Sequence, residues 1–584
     1  MARRQSRSLK KKSSTSGDEA VKLHGMAETL QIHSKDDALV SGWGWPSLWA
    51  LLALLVQMPL FDRSIVAMDE GHLLTTADAM LNGRHLYTDL HTGIFPGIYL
   101  IASTLLGLFG REVLVTRWAA VAVNIVTVVA LFQIGRHFMS TRWASLAPFL
   151  HLVFIAMAFP VLSMFNYSTV AIAFGLLGLW FLLRYLETGR TREALLLGLF
   201  VAAAGLTKQN FGGLIFISLF LALVWSRKDS ILQERSWTQV FFPIAASGAS
   251  LTLAVVLYFT FEGTLPALID STILSIFQSQ FENFNNPIPP LLGPHPSDDG
   301  RFLFLYTPPT LFNALLQGET FAGIRVTPWV RSASIRASYG IPMLAMALSI
   351  FFLVFTDRNP DPERRRASRS TVLFAVVFSL GIFPSAIWSH LAFVTVPILL
   401  LLGFCGDRIE SALMSRSLSA IALTWRTTVG LLALIALGAG AVSTAAVMRW
   451  NSEALEVNRA RGLYVSPRSD ALITGAVEYL DRCARPGEPI LVLPDIPILY
   501  FLANRPNPSP FDLAIPGAVD GPMIIRRAEQ ASIRCAVINP RIYPEFPTLS
   551  EIYPRVHNYL AQGFQTVEVI KSGDSQWLGM RRKR

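Results

Sequence analysis

The stretch MDEGHLLTTADAMLNGRHLYTDLHTGIFPGIYLIASTLLGLFG, residues 68–110, decides how the whole chain is interpreted. Two adjacent carboxylates, Asp69 and Glu70, lie just beyond the first apolar segment of membrane length. Apolar residues then recur at helical spacing as far as Leu81, with Gly83 just beyond, which predicts an amphipathic helix. Carboxylates beside a bilayer are rare unless they have a role. We therefore look for a functional site in and around this stretch.

The composition places the chain among membrane proteins. Only 15% of its 584 residues are charged and 52% are hydrophobic, whereas soluble globular proteins have about 25% charged residues. The net charge of +10 does not indicate nucleic-acid binding, because the basic residues stand in short runs between apolar segments and at the N-terminus. This is the distribution of a polytopic, mainly α-helical membrane protein.

A helix needs about 20 predominantly apolar residues to cross a bilayer. Eleven segments meet or approach this length: 43–61, 113–135, 144–163, 168–186, 194–208, 211–226, 238–260, 338–356, 371–388, 391–406 and 427–448. The Arg- and Lys-bearing loops all face the cytoplasm only if residues 95–110 do not cross. We predict a juxtamembrane or re-entrant helix there. The N-terminus, with a disordered tail over residues 1–42, is then cytoplasmic, and the C-terminus lies outside.

In this topology the polar connections embedded in apolar sequence share the outer side of a plasma (inner) membrane. They are the outer module (residues 62–112), the turn Phe165–Tyr167, the hairpin Lys208–Asn210, the loop 261–337 and the pair Ser389–His390. Within the loop, residues 265–277 predict a helix lying in the interface plane. Residues 285–300, NNPIPPLLGPHPSDDG, are interpreted as a lid over the site.

From residue 449 to 584 the pattern predicts a small exported α/β domain. Residues 489–494 and 535–538 are typical of buried parallel strands, residues 469–482 of an amphipathic helix, and residues 565–570 and 576–580 of a closing pair of strands. Cys483 and Cys535 could pair only if this domain is exported to an oxidising compartment. It contains no Gly-rich phosphate motif, catalytic triad pattern or metal-ligand cluster.

Several of these elements together resemble a known superfamily. MDEG, then LxxAxxMLxGxxLYxD, a Pro-led apolar segment ending in LFG, and Leu-Thr-Lys at 206–208 are similar to the glycosyltransferase C superfamily. The nearest in appearance are bacterial relatives of the protein O-mannosyltransferases and the lipid A aminoarabinose transferase. The resemblance covers residues from about 45 to 230 and is topological beyond them.

The resemblance implies transfer of a sugar, with inversion, from a polyprenyl-phosphate donor to a hydroxyl of a lipid, glycan or protein outside the membrane. It makes Asp69 the expected base, with Glu70 beside it. One carboxylate is enough, because a phosphate leaving group needs positive charge or hydrogen-bond donors rather than a general acid. Lys208 is the first candidate for that role, followed by His390, Arg331 and Arg336.

Further substrate contacts are expected from the polar residues Asp89, His91, Asn166, Tyr167 and Asn210. Related enzymes often carry a second acidic residue in the turn where this chain has Asn166. This departure weakens the case for a divalent metal, although asparagine can still bind a sugar or a phosphate. We therefore expect no cofactor and assign no metal ligand.

Each assignment has a plainer alternative. Asp69 could cap the helix that follows it, Lys208 could be a snorkelling lysine at a helix end, and Asp89 and His390 could be ordinary loop and interfacial residues. A transporter or flippase of a lipid-linked saccharide would predict ionisable groups at mid-membrane depth and broken helices repeated in two halves. The sequence has neither feature. A non-catalytic relative would have the same topology.

Overall fold

The structure, a computed structural model, describes residues 44–274, 286–293, 303–307, 320–321, 324–325, 327–356, 361–514, 519–541 and 548–584. The predicted cytoplasmic tail lies outside these residues. So do parts of the predicted lid and of the interface helix, which is described as a helix over Leu265–Thr272.

The described residues before residue 451 are mainly helical. Backbone polar groups find no water inside a bilayer, so apolar segments bond internally as helices. The prediction of a mainly α-helical, polytopic membrane protein is confirmed, and a helix overlaps each of the eleven predicted spans. The helices are α1 (Gly44–Gln57), α2 (Asp69–Leu81), α3 (Gly97–Phe109), α4 (Val113–Arg136), α5 (Thr141–Ala144), α6 (Leu146–Met157), α7 (Tyr167–Thr188), α8 (Thr191–Thr207), α9 (Gln209–Ser226), α10 (Trp237–Phe261), α11 (Leu265–Thr272), α12 (Leu303–Tyr306), α13 (Pro328–Phe351), α14 (Pro362–Ser379), α15 (Trp388–Ser415) and α16 (Ser419–Trp450).

Seven of the described helices are long and apolar enough to cross a membrane. Helix α3 is not among them. Its 13 residues extend about 20 Å at ~1.5 Å per residue, less than the ~30 Å of a hydrocarbon core. Helix α1 and the α5–α6 segment are similarly short, so length alone does not separate α3 from them. The interpretation of residues 95–110 as a helix that does not cross stays a prediction.

Two predicted spans are displaced from the helices observed. Helix α13 begins at Pro328, where the Thr327 side chain accepts a hydrogen bond from the Val330 N–H, so it starts ten residues before the predicted position. Helix α14 begins at Pro362 and ends at Ser379, whereas the predicted span ran from 371 to 388. Pro384 explains the early end, because proline has no N–H and disfavours helical backbone in the residue before it.

The chain changes character after Trp450. Its C-terminal part contains the short strands β3 (Glu453–Ala454) and β4 (Tyr464–Val465), helices α17 (Pro467–Cys483), α18 (Ile498–Leu502), α19 (Gly521–Gln530), α20 (Leu549–Ile552) and α21 (Pro554–Gly563), and strands β5 (Leu491–Leu493), β6 (Cys535–Ile538), β7 (Phe564–Ser572) and β8 (Ser575–Arg582). Two further short strands, β1 (Thr320–Phe321) and β2 (Ile324–Arg325), pair in the loop before α13.

The predicted small sheet is confirmed. Its strand order is β5-β6-β8-β7. Strands β5 and β6 are parallel, with Leu491 opposite Ala536, and β8 pairs antiparallel with both β6 and β7. A disulfide between Cys483 and Cys535 joins α17 to β6.

The sheet domain and the outer module share one hydrophobic core. Leu73, Leu74 and Ala77 of α2 belong to the same cluster of buried side chains as α18 and the adjoining strands. Gly71 of α2 lies so close to α18 that an added Cβ would be 2.5 Å from the backbone nitrogen of Ile498. Helix α2 is therefore held against the C-terminal domain.

Candidate active site

Asp69 is the first residue of α2. Met68 occupies the N-cap position and makes no side-chain cap, so the alternative in which Asp69 caps this helix is not observed. Asp69 is exposed to solvent. Burial nevertheless raises the pKa of its carboxyl, while the nearby charges of His72 and Lys208 oppose part of that effect. The residue is thus exposed at the surface, while enough protein surrounds its carboxyl to disfavour the charged form. We call this setting the recess.

Glu70 points away from this recess. Its Oε1 lies 2.6 Å from Arg117 Nε, and its Oε2 accepts hydrogen bonds from Arg117 Nη2 at 2.7 Å and from the Val66 N–H at 3.1 Å. Both side chains are buried. With both oxygens engaged, Glu70 fixes α2 to α4, and the geometry argues against the predicted catalytic role.

Lys208 lies in the short connection between α8 and α9. Its side chain is buried, and Nζ donates a hydrogen bond to Ser168 Oγ at 2.8 Å and lies 3.8 Å from the centre of the Phe211 ring. Burial lowers the pKa of Lys208 to about 7, although the Asp69 carboxylate acts in the opposite direction. A snorkelling lysine would place its ammonium in water, so that alternative does not describe Lys208.

The hairpin carrying Lys208 is attached to the outer module. Gln209 Nε2 donates a hydrogen bond to the Gly93 carbonyl at 2.5 Å, and Gln209 Oε1 accepts one from the Phe95 N–H at 3.3 Å. The absence of a side chain at Gly97 permits a close approach, since a Cβ there would lie 2.7 Å from the Leu206 carbonyl oxygen. These contacts bring Asp69 and Lys208 into one electrostatic environment.

One residue of the site, His72, was not predicted from the sequence. Its Nδ1 lies 2.8 and 2.9 Å from the two carboxylate oxygens of Asp512, and its Nε2 lies 2.9 Å from the Tyr99 hydroxyl. Tyr99 in turn contacts Thr92 Oγ1 at 2.7 Å. Burial by itself lowers the pKa of His72, but the charges of Asp512 and Asp69 and the hydrogen bond to Asp512 outweigh it, so the pKa is raised.

The spacing of three residues between Asp69 and His72 places both on one face of a helix and could have revealed His72. Nothing in the local sequence could have revealed Asp512, which lies beyond α18 in the C-terminal domain.

The chain is similar to known proteins in sequence and in fold. Residues 92–259 match the family model described as dolichyl-phosphate-mannose-protein mannosyltransferase. The oligosaccharyltransferase of Archaeoglobus fulgidus, solved with a tethered acceptor peptide, superposes with a TM-score of 0.52 at 11% identity, over 94% of this chain and 75% of that one. The fold is that of the glycosyltransferase C superfamily. The predicted resemblance is thus confirmed.

ArnT from Cupriavidus metallidurans, solved in the apo state and bound to undecaprenyl phosphate, is also similar. The TM-scores are 0.49 and 0.46, and both structures are 14% identical over 92% of this chain and 98% of theirs. No curated protein sequence matches the chain significantly.

On this glycosyltransferase C fold, His390 is a second group near Lys208. It is half-buried at the start of α15, and its Nδ1 donates a hydrogen bond to the Ser385 carbonyl at 2.6 Å. The positive charge of Lys208 lies within electrostatic range of the His390 ring. Asn286, in the described part of the predicted lid, donates from Nδ2 to Ser385 Oγ at 2.8 Å. Asn286 therefore lies next to the His390 side of the site.

Three other predicted binding residues serve local structure. Asn166 is buried and caps α7, because its Oδ1 accepts from the Ser168 and Thr169 N–H groups at 2.8 and 3.0 Å. Asp89 accepts from the His85 N–H at 2.9 Å within its own turn. Asn210 accepts from the Phe211 N–H at 3.0 Å. Each of these bonds engages one side-chain oxygen in local structure. Substrate contacts by the three residues stay predictions.

His91 and Tyr167 lie nearer the site. The centre of the His91 ring lies 4.8 Å from the centre of the Phe511 ring. The backbone N–H of His91 donates a hydrogen bond to the Pro510 carbonyl at 2.9 Å. The ring of Tyr167 is 5.0 Å from Lys208 Nζ, and its hydroxyl is within electrostatic range of Asp69. Their roles in substrate binding stay predictions.

Arg331 and Arg336 belong to the first turns of α13 rather than to a loop, which corrects their predicted setting. Arg336 donates from Nη2 to the Gly293 carbonyl at 2.5 Å. Their contact with a phosphate stays a prediction.

Among the residues that the structure describes, no three His, Cys, Asp or Glu side chains are placed to hold a metal ion. Glu70 is committed to Arg117, and the amide of Asn166 caps a helix. The donor set beside Asp69 does not fit a resident metal, and the expectation of a cofactor-independent reaction stays a prediction.

Proposed function

We propose that this protein transfers a sugar from a polyprenyl-phosphate donor to an acceptor hydroxyl, with inversion, at the outer face of the membrane. One observation carries the proposal. The hydrogen bonds of Gln209 to Gly93 and Phe95 hold the hairpin of the buried Lys208 against the outer module that carries the exposed Asp69. The charges of Asp69 and Lys208 accordingly shift each other's pKa, although the two residues come from distant parts of the sequence. The family model over residues 92–259 supports a lipid-phosphate sugar as the donor class.

Asp69 is the base in this proposal. The oxygen of the acceptor hydroxyl attacks the anomeric carbon of the sugar, and the proton of that hydroxyl passes to the carboxylate of Asp69. The bond between the anomeric carbon and the phosphate oxygen of the donor breaks at the same time. Attack opposite the leaving phosphate inverts the configuration. The raised pKa makes the Asp69 carboxylate a stronger base than an aspartate that is surrounded by water alone. The nearby charges of His72 and Lys208 favour its ionised form.

Lys208 stabilises the leaving group. The donor phosphate is a diester with one negative charge, whereas the departing polyprenyl phosphate is a monoester with a further charge. A fixed ammonium in a buried position therefore binds the product side of the reaction more strongly than the donor. Burial lowers the pKa of Lys208 to about 7. A donor phosphate beside Lys208 adds negative charge and therefore favours its protonated form.

The cavity next to the site suits a hydroxylated acceptor. It has a volume of about 300 Å³ and lies between α2 and the C-terminal domain. Its lining combines apolar surface with the polar side chains of Asp78, Asn82, Arg84, Asn507 and Asp512. Asp512 connects this cavity to His72, one helical turn from Asp69. We place the acceptor on this side and the donor on the Lys208 side.

The test uses membranes from cells that make the protein and matched membranes that lack it. Each is supplied with undecaprenyl-phosphate mannose, glucose, galactose and aminoarabinose labelled in the sugar, and label is followed into envelope lipids, glycans and proteins. We expect label in one product class only where the protein is present, and loss of that label in Asp69→Asn. Asp574→Asn, an exposed carboxylate in the turn between β7 and β8, is the matched control.

Full transfer by Asp69→Asn would overturn the assignment of the base. Movement of the labelled donor between leaflets without any product would favour a flippase instead.

A further inference from the structure

The Asp512–His72 pair joins the C-terminal domain to the helix that carries Asp69. Asp512 is buried, and both of its carboxylate oxygens face His72 Nδ1. Because that nitrogen faces a carboxylate, it carries a proton and donates it. Nε2 faces the Tyr99 hydroxyl, which can accept from a charged imidazole while donating to Thr92 Oγ1. Every polar atom of a charged His72 thus has a partner.

The loop that presents Asp512 is fixed by its own hydrogen bonds. Asn507 donates from Nδ2 to the Phe511 carbonyl at 2.9 Å and accepts from the Ser509 N–H at 2.9 Å. Ser509 Oγ accepts from the Phe511 N–H at 3.0 Å. The loop is also bound to the outer module, since Arg84 Nη1 donates to the Asn507 carbonyl at 2.7 Å. Asp512 is therefore held in place before any substrate arrives.

The C-terminal domain contacts α2 at several points along the length of the helix. Thr75 Oγ1 donates to the Pro497 carbonyl at 2.8 Å, and Arg459 Nη1 donates to Asp78 Oδ2 at 3.1 Å. With the close approach at Gly71, these contacts fix the helix that bears Asp69 relative to Asp512.

We propose that Asp512 is a positioning residue for Asp69: it holds the imidazole of His72 oriented and charged one turn from Asp69, so that the site is complete only with the C-terminal domain docked. This inference rests on the proposed role of Asp69 as the base. The charge on His72 keeps the Asp69 carboxylate ionised in a recess that would otherwise favour its neutral form.

Other titratable groups face the same three side chains from the elements packed around them. They are Lys208 and Tyr167 near Asp69, Tyr99 and His91 near His72, and Arg84 and Tyr500 near Asp512. The Asp512→Asn substitution changes the chemical identity of none of these six side chains. A change in the titration of Asp69 in that variant then reports on the Asp512–His72 pair.

The experiment is an infrared titration of the full-length protein in detergent micelles. The carboxylic-acid C=O band of Asp69 is identified as the band lost in Asp69→Asn, and its midpoint is measured against pH. Removing Asp512 takes away the charge and hydrogen bond that keep His72 protonated. Since an opposite charge nearby lowers a carboxyl pKa by about one unit or more, the Asp69 midpoint should rise by about one pH unit in Asp512→Asn.

His72→Gln, which keeps a polar group but removes the charge, should give the same rise. The double variant should give no further rise, because Asp512 acts through His72. Asp512→Glu should restore a midpoint near that of the unaltered protein, and Asp574→Asn should not move it. A merely structural role for Asp512 would lower the thermal midpoint without shifting this titration.

An Asp69 midpoint unchanged in both Asp512→Asn and His72→Gln would overturn the inference. If Asp512→Asn does not fold, His72→Gln and Asp512→Glu decide the question alone. The titration needs no sugar donor, so its result is separate from the transfer assay. Loss of transfer in Asp69→Asn with no titration shift would leave the proposed function standing and remove only the role of Asp512.

Discussion

Arg117 and Glu70 form a fully buried ion pair between α4 and α2, with Arg117 Nε 2.6 Å from Glu70 Oε1 and Arg117 Nη2 donating to Glu70 Oε2 at 2.7 Å. Arg117 Nη2 also donates to the Ser64 carbonyl at 3.1 Å. The pair fixes the start of α2. The neighbouring residues Asp69 and Glu70 therefore have different roles. Glu70 holds the helix, and Asp69 faces the recess.

We predict that Glu70→Gln destabilises the protein. It leaves the Arg117 guanidinium buried without a counter-charge, which costs about 3–5 kcal/mol in comparable buried pairs. Thermal unfolding of the purified protein in detergent should show a large drop in midpoint. Glu478→Gln is the control, because Glu478 pairs with Arg482 on the surface at 3.7 Å, where ion pairs contribute about 0–1 kcal/mol. A Glu70→Gln protein of normal stability that has lost all transfer would restore the catalytic assignment of Glu70.

The same pair shows what the sequence could and could not predict. Membrane helices follow from local hydropathy, and the small sheet follows from short apolar runs, so both were predictable. Asp69 and Glu70 are adjacent and chemically alike, and only the position of Arg117 across a helix interface separates their roles. Local sequence does not encode such a contact.

The remaining differences have similar causes. Asn166 was predicted to bind substrate because of its outer position, but two backbone N–H groups at the start of α7 use its oxygen. The starts of α13 and α14 were missed because both helices begin with polar or charged turns, which hydropathy alone assigns to loops. Asp512 was missed because it reaches the site from a domain in which no motif stands out.

We predict that Gly71→Ala weakens docking of the C-terminal domain. A Cβ at residue 71 would lie 2.5 Å from the Ile498 backbone nitrogen, so α2 and α18 must separate, at a cost of about 1–3 kcal/mol for overpacking. Limited proteolysis should release a fragment of the C-terminal domain faster than in the unaltered protein. Gly213→Ala is the matched control, since a Cβ there meets nothing within 4 Å. Equal rates for Gly71→Ala and this control would contradict the close packing.

We predict that binding of undecaprenyl phosphate weakens as the pH rises through about 7. Burial lowers the pKa of Lys208 to about 7, so the ammonium that attracts the phosphate is present below that pH and is lost above it. The affinity for undecaprenyl phosphate, measured by calorimetry in detergent at pH values on both sides of 7, should fall as the pH rises. The fall is less steep if the bound phosphate raises the pKa of Lys208. Lys208→Arg should remove most of this dependence because arginine stays charged.

Lys208→Met should bind undecaprenyl phosphate weakly at every pH. Lys571→Met, which removes an exposed lysine of β7, should behave like the unaltered protein. Binding that is independent of pH in both the unaltered protein and Lys208→Met would show that another group holds the phosphate.

We predict that the C-terminal domain faces the outside of the cell. The disulfide between Cys483 and Cys535 is typical of proteins in oxidising compartments, and the basic loops place the C-terminus on that side. A cysteine introduced at exposed Asp574 should react with a membrane-impermeant maleimide in intact spheroplasts. A cysteine at exposed Arg190, in the connection between α7 and α8, should react only after lysis.

The unpaired Cys405 is buried and should contribute little background. Labelling of Arg190→Cys but not Asp574→Cys in intact cells would reverse the topology, and the site formed by Asp69, Lys208 and Asp512 would then face the cytoplasm.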